Sequence, residues 1–265
     1  MYETKYHKSS SVEDAVAALA AAEEGKVLSG GQTLLPTMKQ HLAAPTDLVD
    51  VRSIDTMNGI CMDGDTVVIG AATCHADVAS NAHVQEHIPG LAALAGGIGD
   101  PAVRAMGTIG GSVANNDPAA DYPSAVLGLG ATVVTNAREI AAEEFFDGMF
   151  ATALEEGEII TSLRFPKPTK AAYAKFPNPA SRYAMVGVFV AETGGSARVA
   201  VTGAGSDGVF RHDGLEAALS ADFSEAAVDG VSVEVDGMLS DIHASDAYRA
   251  HLVKVMAKRA VAAAG

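Results

Sequence analysis

The sequence predicts a mixed α+β (α/β) fold in two successive parts, and three observations support this prediction. The first fifty residues alternate strand-like apolar runs with helical stretches, at the short spacing of βαβ units. Glycines then cluster between positions 96 and 111. Beyond the proline-stiffened segment Pro166–Lys170, strands precede helices, which is typical of a smaller α+β domain. We therefore expect one domain over 1–168, with lobes at about 1–55 and 56–168, and a second domain over 171–265.

The first lobe is expected to begin with a helix. Ser10 followed by Glu13 predicts a capping box for this helix, which we expect to end near Gly25. Apolar runs then predict a strand, a helix and a strand over 26–28, 34–43 and 48–51.

The remaining elements follow from the same patterns. In the second lobe we expect strands over 66–71, 131–135 and 159–165, and helices over 76–88, 90–95 and 122–129. In the second domain we expect strands over 173–176, 183–192 and 198–202, and a last helix from Asp246 to about Ala263.

Composition narrows the class of protein. Acidic residues outnumber basic ones 33 to 18, and the formal charge of −15 disfavours binding to nucleic acid or to an anionic membrane surface. No run approaches roughly eighteen apolar residues and the first residues lack a signal-peptide pattern, so we expect a cytoplasmic protein without a membrane span. The two cysteines, which we expect to be buried, are too few to bind an iron–sulfur cluster through four thiolates.

Two glycine pairs are the strongest candidates for a binding site. They lie in Ser29-Gly30-Gly31-Gln32-Thr33 and in Thr108-Ile109-Gly110-Gly111-Ser112. Without side chains, such loops let backbone N–H groups approach an anion closely, and a following helix N-terminus adds a favourable dipole. Neither loop contains a lysine, so neither is a Walker A phosphate loop. One such loop is more often a plain turn, but two in one chain favour a dinucleotide.

The residues around both loops resemble the FAD-binding subunits of molybdenum hydroxylases, a family that includes the medium subunit of aerobic carbon monoxide dehydrogenase and the flavin domain of xanthine dehydrogenase. Leu28–Pro36 with Met38-Lys39 resembles the first FAD loop of this family. Arg104–Asp121 resembles its second loop, Gly157–Pro166 its closing strand, and Tyr248-Arg249 its last helix. The resemblance implies a two-lobed FAD-binding domain of the PCMH or vanillyl-alcohol-oxidase type and a C-terminal domain of the carbon monoxide dehydrogenase flavoprotein type.

The resemblance also implies which residues bind FAD. The pyrophosphate would be held by Gly30, Gly31, Gln32 and Thr33 together with Thr108, Gly110, Gly111 and Ser112. The neighbouring residues of the cofactor-binding set would be Leu28, Ser29, Leu34, Ile109 and Asp117. Asn115 and Asp121 would meet polar edges of the cofactor, with Asp121 a candidate for a ribose or ribityl hydroxyl. Leu163 would offer backbone contacts, Tyr183 would lie near the isoalloxazine, and Lys175 matches a lysine of the same strand pair.

For function, the resemblance implies an FAD-binding electron-transfer subunit of a heteromeric molybdenum hydroxylase. Electrons would arrive from [2Fe–2S] clusters of a small partner subunit and leave through FAD to an external acceptor. A large partner subunit would hold the molybdenum pterin, and the whole would form a dimer of heterotrimers. We assign no catalytic residue and no metal to this chain. The alternative is a self-sufficient FAD-dependent oxidase or dehydrogenase on a related fold.

One segment departs from the family's pattern. Members commonly carry basic residues and Gly-Asp just before the aromatic residue, where this chain has Pro177–Arg182. The flavin face and the electron acceptor are therefore the points on which the resemblance says least.

Three other patterns offer competing interpretations. His83–His87 matches the HxxEH zinc pattern, but Pro89 should end that helix, which favours a solvated helix face. Gly203–Gly208 matches GxGxxG, but extended residues follow and Asp213 is expected to cap the next helix, which favours a turn. Between His212 and Tyr248 there are nine carboxylates and no Lys or Arg, typical of a solvated face. A non-enzymatic adaptor that docks a basic partner there is the remaining alternative.

Overall fold

The computed structural model describes residues 2–264. Within that range the strands are β1 (Lys5–Lys8), β2 (Gly25–Leu28), β3 (Asp47–Asp50), β4 (Ile60–Asp63), β5 (Thr66–Gly70), β6 (Thr132–Thr135), β7 (Glu139–Ala141), β8 (Ile160–Pro166), β9 (Lys170–Pro177), β10 (Ala184–Thr193), β11 (Ser196–Gly205) and β12 (Gly208–Arg211). The helices are α1 (Val12–Ala21), α2 (Leu34–Lys39), α3 (His75–Ser80), α4 (Ala82–His87), α5 (Pro89–Gly96), α6 (Pro101–Met106), α7 (Ile109–Asn115), α8 (Tyr122–Leu129), α9 (Ala142–Phe145), α10 (Asp213–Ala221), α11 (Glu225–Asp229) and α12 (Asp246–Ala264). This mixture of helices and sheets confirms the predicted fold class.

The first sheet positions the first glycine loop. Strands β1, β3 and β2 lie parallel in that order, and every residue of the central strand β3 is buried. The residue after Leu28, the last of β2, is Ser29, so the loop leaves the sheet at the carboxyl ends of its parallel strands. That edge is where open parallel sheets commonly bind ligands.

The second sheet carries the second glycine loop. Its antiparallel order is β4-β5-β8-β6-β7, with β8 paired to β5 on one side and to β6 on the other. Helices α3 to α8 all lie between β5 and β6 in the chain. Their apolar side chains form one core with the sheet, in which Tyr122, Phe145 and Phe165 are fully buried. The second glycine loop is therefore built on a densely packed lobe.

The third sheet, ordered β12-β11-β10-β9, separates two cores. Alternate residues of a strand point to opposite faces. Val188 and Val190 of β10 accordingly join the core formed with α12, whereas Phe189 between them joins the core of the second lobe. Gly128 of α8 makes this contact possible, since a Cβ there would lie 2.9 Å from the Phe189 ring. The division of the chain after residue 168 stays a prediction.

The predicted linker is shorter than expected, because β8 ends at Pro166 and β9 begins at Lys170. The residues between are fixed by backbone hydrogen bonds, with Lys167 N–H donating to Asp65 and Thr169 N–H donating to Glu192. The segment therefore joins two sheets as an ordered turn.

Several helix boundaries differ from prediction because side chains cap helices that periodicity alone cannot place. Helix α1 is capped by Ser11, whose hydroxyl accepts from Asp14 N–H, and not by the predicted pair Ser10 and Glu13. It ends at Ala21, and Gly25 already belongs to β2.

The helices expected over 34–43 and 76–88 are also shorter. Helix α2 ends at Lys39, since His41 adopts a positive φ of 61°. Asn81 divides the predicted helix 76–88 into α3 and α4, because its backbone is extended and its side chain accepts from the first N–H groups of α4.

In the C-terminal part of the chain, the turn predicted at Gly203–Gly208 is confirmed, because β12 and not a helix follows it. The cap of α10 is His212 instead of Asp213, with Leu215 N–H donating to its Nδ1. Three carboxylates of the acidic run are paired, as Glu216 with Arg211, Asp229 with Lys258 and Asp241 with Arg249.

Two further features concern the surface. The expectation of buried thiols is wrong: Cys61 is exposed and Cys74 is half-buried. Among residues 2–264, no helix has both the length and the apolar character needed to cross a membrane.

Candidate functional site

A cleft of about 640 Å³ opens between the carboxyl edge of the first sheet, the second lobe and the turn before β10. It brings together most of the predicted cofactor-binding residues, namely Leu28, Ser29, Gly30, Gly31, Gln32, Thr33, Leu34, Thr108, Gly110, Gly111, Ser112, Asn115, Asp117, Asp121 and Tyr183. What each of them contacts in the cofactor stays a prediction.

The first glycine loop presents unused hydrogen-bond donors. Within residues 2–264, the backbone N–H groups of Gly30, Gly31, Gln32 and Thr33 donate to no protein atom. Gly31 has a φ of +70°, which a glycine adopts readily. Successive free N–H groups in such a turn form a concave nest for an anion. Helix α2, which follows the loop, has only six residues. The free N–H groups, and not the dipole of this helix, would therefore provide most of the attraction for an anion.

The second glycine loop uses its N–H groups from Ile109 to Ser112 inside the protein. Gly110 N–H donates to the Ala71 carbonyl at 2.9 Å, and Gly111 N–H donates to Thr108 Oγ1 at 3.2 Å. A Cβ on Gly110 would lie 2.5 Å from the Ala71 Cβ, closer than real side chains approach. This loop therefore forms a closely packed wall of the cleft.

The two loops touch each other. Ser29 Oγ and Thr108 Oγ1 are hydrogen-bonded at 2.8 Å. A Cβ on Gly30 would lie 2.4 Å from the Met106 carbonyl oxygen, just before the second loop. Only glycine at position 30 permits this approach, so the pair of loops forms one continuous wall.

Asp121 lies at the inner side of the cleft, in a buried network that reaches the third sheet. Lys175 Nζ donates to its Oδ1 at 3.0 Å and Tyr173 OH donates to the same oxygen at 2.6 Å. Burial raises the pKa of the Asp121 carboxyl, while the charge of Lys175 opposes this rise. Lys175 also donates to the Gly97 carbonyl at 2.9 Å. It is thus placed behind Asp121, outside the cleft wall.

Two more predicted residues lie outside the cleft wall. Ile109 and Leu163 are fully buried in the core of the second lobe. The backbone of Leu163 lies between Ile69 of β5 and Val133 of β6 in the sheet. The backbone of Leu163 therefore lies inside the sheet, and its contact with the cofactor stays a prediction.

Tyr183 stands at the mouth of the cleft and is half exposed. It lies just before β10, at the end of the Pro177–Arg182 segment that departs from the family pattern. This segment forms a turn in which Asn178 N–H donates to the Tyr183 carbonyl. Arg182 adopts a φ of +63° and donates from Nη1 to the Gly99 carbonyl at 3.1 Å. Burial of the ring, with Asp117 nearby, raises the pKa of the Tyr183 hydroxyl.

Several residues of the cleft wall were not predicted. The polar ones among them are Lys26, Thr37, His75, Glu158, Ser181 and Arg182. Lys26 precedes the first loop by three residues and could have been found from that proximity. His75 and Glu158 are brought to the cleft only by the packing of the second lobe, for which the sequence carries no local signal.

The zinc interpretation of the HxxEH pattern gains nothing from the geometry. His83 and His87 lie one turn apart on α4, with parallel rings 6.4 Å apart. Among residues 2–264, no three His, Cys, Asp or Glu side chains are grouped so that they could bind a metal ion.

The donors of the cleft fit a dinucleotide. A pyrophosphate carries the negative charge that the free N–H groups of the first loop can bind, and a cleft of about 640 Å³ has the size of a cofactor site. The chain therefore has the features of a dinucleotide-binding protein. Residues 2–168 match the model of the FAD binding domain in molybdopterin dehydrogenase, and the chain belongs to this family of flavoprotein oxidoreductase subunits.

Known relatives agree over almost the full length. The carbon monoxide dehydrogenase medium chain of Hydrogenophaga pseudoflava is 34% identical, covering 98% of this chain and 96% of that protein. The nicotine 6-hydroxylase medium subunit of Paenarthrobacter nicotinovorans is 31% identical, covering 98% of this chain and 97% of that protein. A chain in the crystal structure of cyanide-inactivated Cu,Mo-CO dehydrogenase superposes with a TM-score of 0.91 at 32% identity, covering 99% and 97%. The resemblance noted from the sequence is confirmed, and FAD is the cofactor of this domain.

Proposed function

We propose that this chain is the FAD-binding electron-transfer subunit of a heteromeric molybdenum hydroxylase. It would relay electrons from [2Fe–2S] clusters of a partner subunit to an external acceptor. FAD supplies the required chemistry when bound, because a flavin can take up electrons singly and release them in pairs. The strongest support is the cleft itself, which is lined by the free N–H groups of the first loop and by a half-exposed tyrosine. The chain that forms it is similar to a medium subunit over 98% of its length.

The residues of this chain would bind and orient the cofactor. The nest at Gly30–Thr33 would hold the pyrophosphate, with the packed wall of the second loop limiting its position. Asp121, fixed by Lys175 and Tyr173, would accept from a sugar hydroxyl through a lone pair that the protein leaves free. Tyr183 would cover one face of the ring system at the cleft mouth and exclude water from it.

The proposed partners are a small iron–sulfur subunit and a large molybdenum subunit, in a dimer of heterotrimers located in the cytoplasm. Medium chains of carbon monoxide dehydrogenase and of nicotine 6-hydroxylase support a multi-subunit assembly. The molybdenum pterin and the clusters would then be bound by the partners. The substrate of the holoenzyme would be determined by the large subunit.

Purification of the untagged chain from its native host tests this proposal. We expect it to co-purify with two companion chains, and metal analysis of the complex should find molybdenum and iron. The isolated chain should bind FAD, but no substrate should bleach its visible flavin absorbance until the partners are added. A self-sufficient oxidase would instead show substrate-dependent bleaching by the isolated chain, and that result would overturn the subunit proposal.

A further inference from the structure

His75 is a buried titratable side chain of the cleft wall that has no assigned role. It is the first residue of α3 and only 5% exposed. Its backbone N–H donates to the Gly107 carbonyl at 2.9 Å, which fixes the ring against the start of the second glycine loop. The ring also packs against Tyr122, with their centroids 5.3 Å apart. The position of the imidazole is therefore determined by the core of the second lobe.

The two ring nitrogens have different surroundings. Nδ1 is enclosed by protein and has no hydrogen-bond partner among residues 2–264. Nε2 faces Gly107, where the missing side chain leaves it space, since a Cβ there would lie 2.6 Å away. A buried N–H donor without an acceptor is costly. The tautomer with its proton on Nε2 avoids this cost and makes Nε2 a donor on the cleft side.

The imidazole is neutral near pH 7. Burial, together with the positive charge of Arg104, lowers the pKa of His75 to about 4. The ring therefore offers a single neutral donor at this position, without a full positive charge.

Nε2 and the free N–H groups of the first loop lie on two sides of the same glycine. A Cβ on Gly30 would be 2.6 Å from Gly107 Cα, and a Cβ on Gly107 would be 2.6 Å from His75 Nε2. Gly30, Gly107 and His75 therefore lie in a row across the wall of the cleft. We propose that His75 is a cofactor-binding residue, which donates a hydrogen bond from Nε2–H to FAD where the two glycine loops meet. This inference rests on the proposed FAD cleft.

Substitutions that distinguish the two nitrogens test the proposal. The amide nitrogen of Gln can occupy the place of Nε2, whereas that of Asn is closer to Nδ1. For the full-length FAD-free protein, we expect His75→Asn and His75→Leu to weaken the Kd for FAD about tenfold, in keeping with the loss of one hydrogen bond. His75→Gln should stay within about threefold of the wild type. The Kd is measured by titrating FAD against its fluorescence, and thermal unfolding of each FAD-free variant checks that the fold is intact.

The outcomes separate this inference from the proposed function. A wild-type chain that takes up no FAD would overturn both. A wild-type chain that binds FAD, with Asn and Gln variants of equal affinity, would overturn the role of His75 alone. His83→Leu, on the exposed face of α4, is the control and should bind FAD like the wild type.

A measurement on the unmodified protein does not depend on how the variants fold. Nitrogen-15 NMR of the histidine rings, with His75 identified by its absence in His75→Gln, should show the proton on Nε2 and a change of that signal when FAD is added. A ring protonated on Nδ1, or an Nε2 signal that FAD leaves unchanged, would overturn the proposal.

Discussion

The two glycine loops look alike in sequence but differ in what their backbones contact. In the first loop the N–H groups from Gly30 to Thr33 donate to no atom of residues 2–264, and Gly31 adopts a positive φ. In the second loop the N–H of Gly110 is bonded to Ala71, and its Cα packs against the same residue. A Gly-Gly pair therefore indicates that something approaches the backbone closely. Only the hydrogen-bond partners show whether that neighbour is a ligand or the protein itself.

The largest effect should follow from adding a methyl group to the second loop. In Gly110→Ala the new Cβ would lie 2.5 Å from the Ala71 Cβ and 2.7 Å from its carbonyl oxygen. Since neither atom is on a flexible side chain, we expect the free energy of unfolding to fall by about 3 kcal/mol. Urea denaturation of the FAD-free protein measures this. Gly96→Ala is the matched control, because its nearest neighbour would be 3.8 Å away, and it should change stability by less than about 1 kcal/mol. Equal effects of the two substitutions would contradict the description of this loop as a packed wall.

The second effect concerns the pH dependence of stability that is due to His75, which packs against the start of the second loop. The pKa of His75 is about 4 in the folded protein and lies near 6.5 in the unfolded chain. The unfolded chain therefore binds the proton more readily, so this contribution to stability is complete above pH 6.5 and is lost as the pH falls toward 4. Lowering the pH from 7 to 5 should therefore reduce the free energy of unfolding of the wild type by about 2 kcal/mol more than that of His75→Gln.

The measurement for this effect is the free energy of unfolding at several pH values for both FAD-free proteins. The difference between them removes the titration of the carboxylates that they share. Two curves that run parallel from pH 7 to pH 5 would show that His75 is not held neutral by the wall. The residues of the first loop, Ser29 to Thr33, have no titratable side chain and should add no such dependence.

The third effect concerns the first loop, where a substitution should affect FAD binding more than stability. Gly31→Ala places a non-glycine residue at a φ of +70°, which should cost about 1 kcal/mol of stability. Its Cβ would lie 2.9 Å from Leu35 Cδ1 and 3.3 Å from Leu28 Cδ1, which are both ends of side chains that can move. Because the free N–H groups should then lose their alignment, we expect the Kd for FAD to rise about tenfold. Denaturation and fluorescence titration measure the two quantities.

Gly64→Ala provides the comparison for this third effect. Gly64 has a φ of +57° with open space around it, on the turn between β4 and β5. It should lose a similar amount of stability and leave FAD binding unchanged. A Kd that rises equally in both variants would show that backbone strain, and not the nest, weakens binding.

These contrasts also show how far the sequence alone could lead. Helix α8 matched its prediction residue for residue, since Pro123 opens it and Gly130 closes it with a positive φ. The break at Asn81 was missed because its side chain caps the following helix while the apolar pattern continues. Helix α7 was missed because its glycines disfavour a helix, and Thr108 capping with close packing on Ala71 overrides that preference.

The same limit applies to the candidate site. Gly30 and Gly31 could be found from their pattern, and so could Thr108, because each lies in a short local motif. His75 could not, since its burial depends on Gly107, which is distant in the chain. Local patterns find the parts of the cleft that the backbone makes. The side chains that complete it depend on packing across the lobe.

The smallest effect tests whether the two loops act as one unit. Ser29 Oγ and Thr108 Oγ1 form the hydrogen bond that joins them. In a double-mutant cycle of Ser29→Ala with Thr108→Val, we expect a coupling energy of about 0.5 kcal/mol in the FAD-free protein. The cycle is needed because Thr108 also accepts from Gly111 N–H, so its single substitution removes a helix cap as well. Pairing Ser29→Ala with Ser112→Ala, which also lines the cleft, should give additive effects. If the first cycle is additive too, the nest keeps its shape without the wall, and the loops share a cleft without supporting each other. A measurable coupling would mean that the packed second loop, whose N–H groups from Ile109 to Ser112 are bonded inside the protein, fixes the position of the first loop.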